Sequence, residues 1–378
     1  MELTIQKKNF LRGLARTHSV ADRKSSMPIL SNILLSTDGP STLRLAATDL
    51  YLGVSATAPA DVKRGGTVAV AARTLFEIIK NLPDGDVKWT VGDNHAAEIR
   101  CGKVRYKIPG MPGEDFPSLP SPGEAAFADL DAERLGDLVA RTQYSMSTDD
   151  TRPHLAGALF EGDGKLVRMV TTDGHRLSKA EFRLADGSGM LNYSMLVPNK
   201  GIAELRRLIE DARADRAKGD EAPLTVGIAT AGSNAFFRRD GVQLSVKLAD
   251  EQFPPYSKVI PQQQDKRVVA SRSGLIEALR RISLVASDKS GGVKLAIAPG
   301  TLRITSENPD VGEGSEELDV DYAGEPLMIG FNARYLLDVL SALSEDSVAL
   351  ELSGELDPGV IKPAADADFV GVIMPMRI

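Results

Sequence analysis

Cysteine is nearly absent from this 378-residue chain, with Cys101 its one example. No intrachain disulfide framework and no cysteine-rich zinc site can therefore form. The four histidines, His18, His95, His154 and His175, lie far apart and make no metal-spacing motif. Aromatic residues are only 5% of the chain, with Trp89 the single tryptophan, which argues against a platform that stacks single-stranded bases. No run approaches the roughly 18 apolar residues of a membrane span, and Met1-Glu2-Leu3-Thr4-Ile5-Gln6-Lys7-Lys8 has no apolar core of the signal-peptide kind. A soluble protein of a reducing, cytoplasmic compartment is expected, with no cofactor and no metal. An excess of positive charge is missing too: 45 Lys and Arg stand against 52 Asp and Glu, a net −7. Taken alone, that balance speaks against a tight grip on nucleic acid, which needs cations to neutralise phosphates.

What the chain does have is an internal repeat. Three segments share one order of features. An amphipathic helical stretch leads into a strand at Phe10–Ala15 and Pro28–Leu35, at Leu135–Ala140 and Pro153–Phe160, and at Leu275–Leu279 and Val293–Ile297. A strand ending in a polar turn follows, with Arg44 five residues before Asp49, Arg168 before Asp173 and Arg303 before Asn308. A second helix then begins near Arg73, Lys200 and Arg334, carrying Glu77, Glu204 and Asp338 at matched positions. Residues 109–124 hold five prolines and can form neither a helix nor a central strand. Residues 252–264 repeat their Phe-Pro start, as Phe253-Pro254 after Phe116-Pro117. The expected domains are 1–124, 125–265 and 266–378. Each is α+β, with two helices and antiparallel sheets, because the links are too short for many parallel crossovers.

Split by position, the charge looks different. Six predicted helical windows (7–24, 72–82, 131–143, 199–218, 272–289 and 332–343) carry a net +9, which leaves −16 for the rest of a chain whose total is −7. A lone basic helix face is ordinarily solvated surface. A consistent split points instead to repeat-related helices offering a diffuse field to a polyanion, holding phosphates without reading sequence.

With the repeat, the segment Thr172-Asp173-Gly174-His175-Arg176-Leu177 and the stretch Val372-Ile373-Met374-Pro375-Met376-Arg377-Ile378, the chain resembles the bacterial β sliding clamp family, the processivity subunits of DNA polymerase III. The resemblance covers its whole length. It implies a head-to-tail homodimer whose six domains form a ring, with helices lining the hole and sheets outside. Such a ring encircles duplex DNA and tethers the replicative polymerase, the clamp loader and other proteins through short linear peptides. It catalyses nothing itself and works in the cytoplasm, associated with the nucleoid.

The resemblance also implies sites. Dimer contacts fall on Lys103, Arg105, Tyr106, Lys107 and Ile108 at one edge, and on Leu284, Val285, Glu313, Glu316 and Glu317 at the other. A partner-peptide pocket falls on Leu155, Thr172, Gly174, His175, Arg176, Leu177, Pro254, Lys258, Val259, Asn332, Tyr335, Leu356, Val372, Ile373, Met374, Pro375, Met376 and Arg377. Its methionines suit a surface that must accept several peptides. Leu155, Leu177, Val259 and Leu356 read as an exposed apolar floor, and Arg176 and Lys258 as donors to the peptide. Ser290 stands where many members carry a bulky apolar residue, and Lys258 where an arginine is common. DNA contacts fall on Arg23, Lys24, Arg73, Gln143, Pro153, His154 and Lys200, with aromatic residues common in the family where Pro153 and His154 stand.

Two other readings compete. Asp173-Gly174-His175-Arg176 has the look of an acid–base cluster, since a carboxylate near a histidine can orient its imidazole. No nucleophile elbow, phosphate loop or metal motif accompanies it. Its repeat mates Asp49 and Asn308 lack the histidine, which favours a turn cap. The second rival is a scaffold that binds proteins without forming a ring.

Overall fold

The computed structural model describes residues 1–22, 25–149, 151–184, 191–215, 223–286, 291–365 and 368–377. Among the described residues are six α-helices, two in each repeat: α1 (Lys7–Thr17), α2 (Ala72–Asn81), α3 (Ala132–Thr142), α4 (Asn199–Asp215), α5 (Arg272–Ile282) and α6 (Ala333–Ala342). Each carries one apolar stripe, and α1, α2, α5 and α6 lay theirs against strands. On α1 the buried positions Phe10, Gly13, Leu14 and Thr17 follow the helical period, and on α6 Ala333, Leu336, Val339 and Leu340 do the same. Ser271 and Asn332 cap α5 and α6 by accepting the Gly274 N–H at 3.3 Å and the Arg334 N–H at 2.9 Å. α1 stops at Thr17, short of the window 7–24: the Thr17 hydroxyl turns back to the Gly13 carbonyl, and His18 stacks on Phe76 with ring centroids 3.9 Å apart.

Every described strand pairing is antiparallel. The sheets do not respect the repeats. A nine-stranded sheet runs Gly110–Pro112, Thr67–Ala71, Asn32–Asp38, Thr42–Thr48, Leu52–Pro59, then Val242–Lys247, Asn234–Arg239, Thr225–Ala231 and Ala128–Asp131. It crosses from the first repeat to the second where Leu52–Pro59 meets Val242–Lys247. An eight-stranded sheet runs Leu191–Pro198, Gly157–Gly164, Leu166–Thr172, Arg176–Arg183, then Phe369–Ile373, Gly359–Pro363, Ser347–Leu352 and Lys266–Ser271. Its crossing, from the second repeat to the third, is where Arg176–Arg183 meets Phe369–Ile373.

Two further sheets belong to single repeats. One has five strands: Asp61–Arg64, Glu2–Gln6, Asp86–Val91, Ala97–Cys101 and Val104–Ile108. The other has four: Gly312–Asp319, Thr301–Asn308, Gly292–Ala298 and Leu327–Asn332. Because strands of neighbouring repeats share sheets, compactness follows the sheets. One compact unit comprises Met1–Ala132 with Ala203–Leu248; the other comprises Glu133–Ile202 with Ala249–Ile378. In the first, Phe10 meets Trp89 edge-on at 5.9 Å in a core that excludes water from both rings.

Candidate peptide, dimer and DNA surfaces

The turn Thr172–Arg176 is built from its own side chains. The Thr172 hydroxyl donates to the Arg176 carbonyl at 2.6 Å and accepts the Gly174 N–H at 3.1 Å. Asp173 Oδ1 accepts the N–H groups of His175 and Arg176 at 2.9 and 3.1 Å. The first repeat makes the same turn: Thr48 donates to the Leu52 carbonyl at 2.6 Å, and Asp49 Oδ1 accepts from Tyr51 and Leu52. Residue three of each turn lies in the left-handed region, Gly174 at φ +91° and Leu50 at φ +74°. Glycine adopts that region without strain, whereas Leu50 pays about 1–3 kcal/mol. In the third repeat Asn308 Oδ1 accepts the Asp310 N–H at 3.0 Å. Asp173 is thus a turn cap, and its second oxygen takes the Arg176 Nε–H at 3.0 Å. His175 meets this carboxylate through its backbone N–H. Among the described residues no group of three or more His, Cys, Asp and Glu could hold a metal ion.

Arg176 ties this turn to its surroundings. Its side chain is 10% exposed, with Nη1 at 2.6 Å from Asp338 Oδ2 on α6 and Nη2 donating to the Tyr144 carbonyl at 2.6 Å. The guanidinium lies 4.4 Å from the centre of the Tyr335 ring and 5.4 Å from that of Tyr144. Burial pushes the Tyr144 hydroxyl far above its ordinary pKa, and this hydroxyl accepts a hydrogen bond from Ser178 at 2.6 Å. All three guanidinium nitrogens are engaged within the chain, so the expected donor to a peptide is already committed to intrachain partners.

The other predicted pocket residues divide by burial. Leu177 and Val372 face each other across the sheet crossing and, with Leu159, Val170 and Val360, form a buried cluster. Phe253, Tyr256 and Ile260 of the connecting segment pack against it. Leu155, Thr172 and Ile373 are buried as well. The expected exposed floor is therefore only half exposed: Val259 and Leu356 are open to solvent, whereas Leu155 and Leu177 are core. Gly174, His175, Lys258, Met374 and Arg377 form an exposed rim, with Pro254, Asn332, Tyr335, Pro375 and Met376 part-buried. Two backbone bonds fix the Met374–Arg377 stretch, Met374 N–H to the His175 carbonyl at 2.9 Å and Met376 N–H to the Gly330 carbonyl at 2.8 Å.

Residues that the sequence reading missed hold this region together. The Tyr256 hydroxyl donates to Glu161 at 2.9 Å and accepts from Arg168 Nη1 at 3.1 Å, pinning the segment that carries Pro254, Lys258 and Val259. Burial alone would raise the pKa of Glu181, but hydrogen bonds from Arg168 and Lys179 outweigh it and hold the carboxyl below its usual value. Asp338 was visible as the repeat mate of Glu204, and its partner across 162 residues was not.

Two sheet edges carry the predicted dimer residues. On Val104–Ile108, which ends the five-stranded sheet, Arg105, Tyr106 and Lys107 are exposed, as is Lys103 just before it, and Ile108 is buried. Arg105 bonds Glu98 at 2.7 Å; its hydrogen bond, with that of Arg100, holds the Glu98 carboxyl below its usual value. On Gly312–Asp319, which ends the four-stranded sheet, Arg281 clasps Glu316 with two nitrogens at 2.6 and 2.8 Å, and Arg303 bonds Glu317 at 2.8 Å. Leu284 is 79% exposed beside Val285.

The predicted DNA residues are dispersed. Arg73, Lys200 and the third-repeat Arg334 are each the second residue of a helix, α2, α4 and α6. Gln143 opens the 3-10 turn after α3, and Pro153 and His154 open another before Gly157–Gly164. Arg23, Lys24 and Ser290 lie outside the described residues. No helix among those described is long and apolar enough to cross a membrane.

Comparison with known proteins agrees along the whole chain. Family models of the DNA polymerase III beta subunit match with its N-terminal domain at residues 1–120, its central domain at 129–255 and its C-terminal domain at 257–377. The beta sliding clamp of Caulobacter vibrioides is 35% identical over 384 residues, and that of Escherichia coli K12 34% identical over 381, each comparison covering 100% of both chains. The crystal structure of the DNA polymerase III subunit beta from Pseudomonas aeruginosa superposes with a TM-score of 0.92 at 33% identity, again over 100% of both chains. With three repeats, sheets shared between them and this full-length likeness, the chain belongs to the DNA polymerase III beta subunit, or beta sliding clamp, family.

Proposed function

We propose that two copies of this chain close head to tail into a ring around duplex DNA, with repeats 1–124, 125–265 and 266–378. The ring tethers the replicative polymerase to its template, acts in the cytoplasm on the nucleoid, and takes clamp loader and other partners through the pocket at Leu155–Leu177 and Met374–Arg377. It performs no catalysis of its own.

The observation that carries the reading is the pair of sheet crossings inside the chain, which serve as templates for a third between subunits. At the first, Ser245 stands opposite Gly53 and Gln243 opposite Ser55; at the second, Val372 stands opposite Leu177 and Val370 opposite Lys179. The repeat relates Gly53 and Leu177 to Glu313, because these three pair with Thr48, Thr172 and Glu307, each one residue before Asp49, Asp173 and Asn308 of the repeated turn. It likewise relates Ser245 and Val372 to Lys107, since Leu244, Gly371 and Tyr106 pair with Phe237, Ile361 and Ile99. Carried onto the outer edges of Val104–Ile108 and Gly312–Asp319, this register sets Lys107 opposite the partner subunit's Glu313, Tyr106 opposite the partner's Gly314, and Lys103 opposite the partner's Glu317. Charges match, and the bulky ring meets a residue without a side chain. Two complementary edges formed by different parts of the chain make a heterologous contact, which closes a ring when its rotation allows.

The helix starts support the DNA role. A cation in the first turn opposes the helix dipole by about 0.3–1 kcal/mol, so Arg73, Lys200 and Arg334 in all three repeats are placed against local stability. Polyanion contact supplies a reason. The test loads the protein with its clamp loader onto nicked circular DNA and then linearises the DNA. A ring stays on the circle and slides off the linear form; retention on both, or on neither, rejects it.

A further inference from the structure

Among the described residues the strand Leu327–Asn332 has one strand neighbour, Gly292–Ala298. In an antiparallel pair alternate residues direct both N–H and C=O away from the partner strand. Gly330 is one of these, because its carbonyl accepts the Met376 N–H. Met328, two residues earlier, therefore presents its backbone groups to the same open edge. Beside this edge lies a groove of about 230 Å³ lined by Lys294, Met328, Gly330, Leu356, Met376 and Arg377. Met328 and Leu356, 56% and 61% exposed, line this groove together, and an apolar patch rimmed by polar residues is a common mark of an interaction surface. Two cations and one carboxylate, Glu355, stand on its rim.

We propose that this groove is an additional subsite of the peptide-binding surface, which holds the flank of a bound peptide as an added strand along the Met328 edge. An apolar side chain of the peptide rests on Met328 and Leu356, and a carboxylate reaches Lys294 and Arg377. The inference rests on the pocket reading above and extends it, since Leu356, Met376 and Arg377 belong to both surfaces. The Met374–Arg377 stretch already uses the edge at Gly330, and the peptide continues that line toward Met328. Backbone pairing supplies affinity without sequence preference, while the groove side chains supply selectivity.

A random-peptide display library panned on the full-length protein tests this, with the most enriched peptide then labelled with fluorescein for anisotropy. The expected peptides carry an acidic residue at constant distance from an apolar core. On Lys294→Glu that preference turns basic, and affinity for the original peptide falls about fivefold, as expected for reversing one partly exposed charge contact. Met328→Asp, which leaves the core untouched, weakens the same peptide about tenfold. If Val259→Asp abolishes binding while the Lys294 and Met328 variants bind as before, the groove proposal fails and the pocket stands. If Val259→Asp has no effect while Met328→Asp does, the pocket reading fails instead. An unenriched library rejects both.

Discussion

Arg176 illustrates how one side chain here replaces a cluster of smaller contacts. Its guanidinium satisfies Asp173, Asp338 and the Tyr144 carbonyl while lying over two tyrosine rings. Replacing it by alanine leaves two part-buried carboxylates without their counter-ion, and we expect a loss of about 3 kcal/mol. Urea unfolding followed by circular dichroism measures that loss, and Arg176→Lys should recover little of it, because an ammonium cannot span three acceptors in a plane. Unchanged stability in the alanine variant would remove the strut. Glu204 on α4 offers a pH test. Burial raises its pKa, Arg207 opposes this, and Asp211 and Asp49 reinforce it. A carboxyl whose folded pKa exceeds the unfolded one is a burden above that folded value, and the burden disappears as pH falls toward the unfolded pKa. Glu204→Gln should therefore be the more stable protein near pH 8, with the difference vanishing near pH 4. Unfolding curves at several pH values decide it; a constant difference counts against the burial effect. Much at this scale was legible in the sequence because turn caps are local: Asp49, Asp173 and Asn308 cap within two or three residues of themselves. Arg176 with Asp338 was not, because no short-range pattern announces a pair joined only by tertiary packing.

At the scale of elements, the helices could be read from their apolar spacing and the repeat from the order of features. Which strand edges join could not, since the alternation along Leu52–Pro59 or Arg176–Arg183 marks faces and not neighbours. For the same reason Leu177 reads as exposed floor in the sequence and is core in the structure: it lies in the middle of a shared sheet, and a strand buried by its neighbours looks in sequence like one that faces solvent. The register derived from the two internal crossings makes a sharp prediction. Lys107→Glu sets two carboxylates against each other and should raise the dimer dissociation constant about tenfold, and adding Glu313→Lys should restore it. Analytical ultracentrifugation across a concentration series reads both. A double variant as weak as the single one would show that these residues do not face each other.

For the whole molecule, the charge division persists but is unevenly shared. With the observed boundaries the helices carry a net +7, leaving −14 elsewhere. Lys7, Lys8, Arg12 and Arg16 put four cations and no acid on α1, α5 adds two and α2 one, while α3, α4 and α6 balance. On the proposed reading so diffuse a field holds few phosphates at once, which suits sliding. Replacing Arg73, Lys200 and Arg334 by alanine should reduce the slope of log affinity against log salt by about 0.9 for each lost contact. The lifetime of the loaded protein on closed circular DNA should not change, because linkage, and not attraction, retains it. A shortened lifetime on circles would mean that these cations hold the DNA themselves. The sheets that run across repeat boundaries also govern how the chain can be divided. Expressing residues 1–124 alone would strip Leu52–Pro59 of Val242–Lys247 and bare a central strand as a sticky margin. The chain, though made of three repeats, cannot be cut back to one of them without making an aggregation-prone fragment.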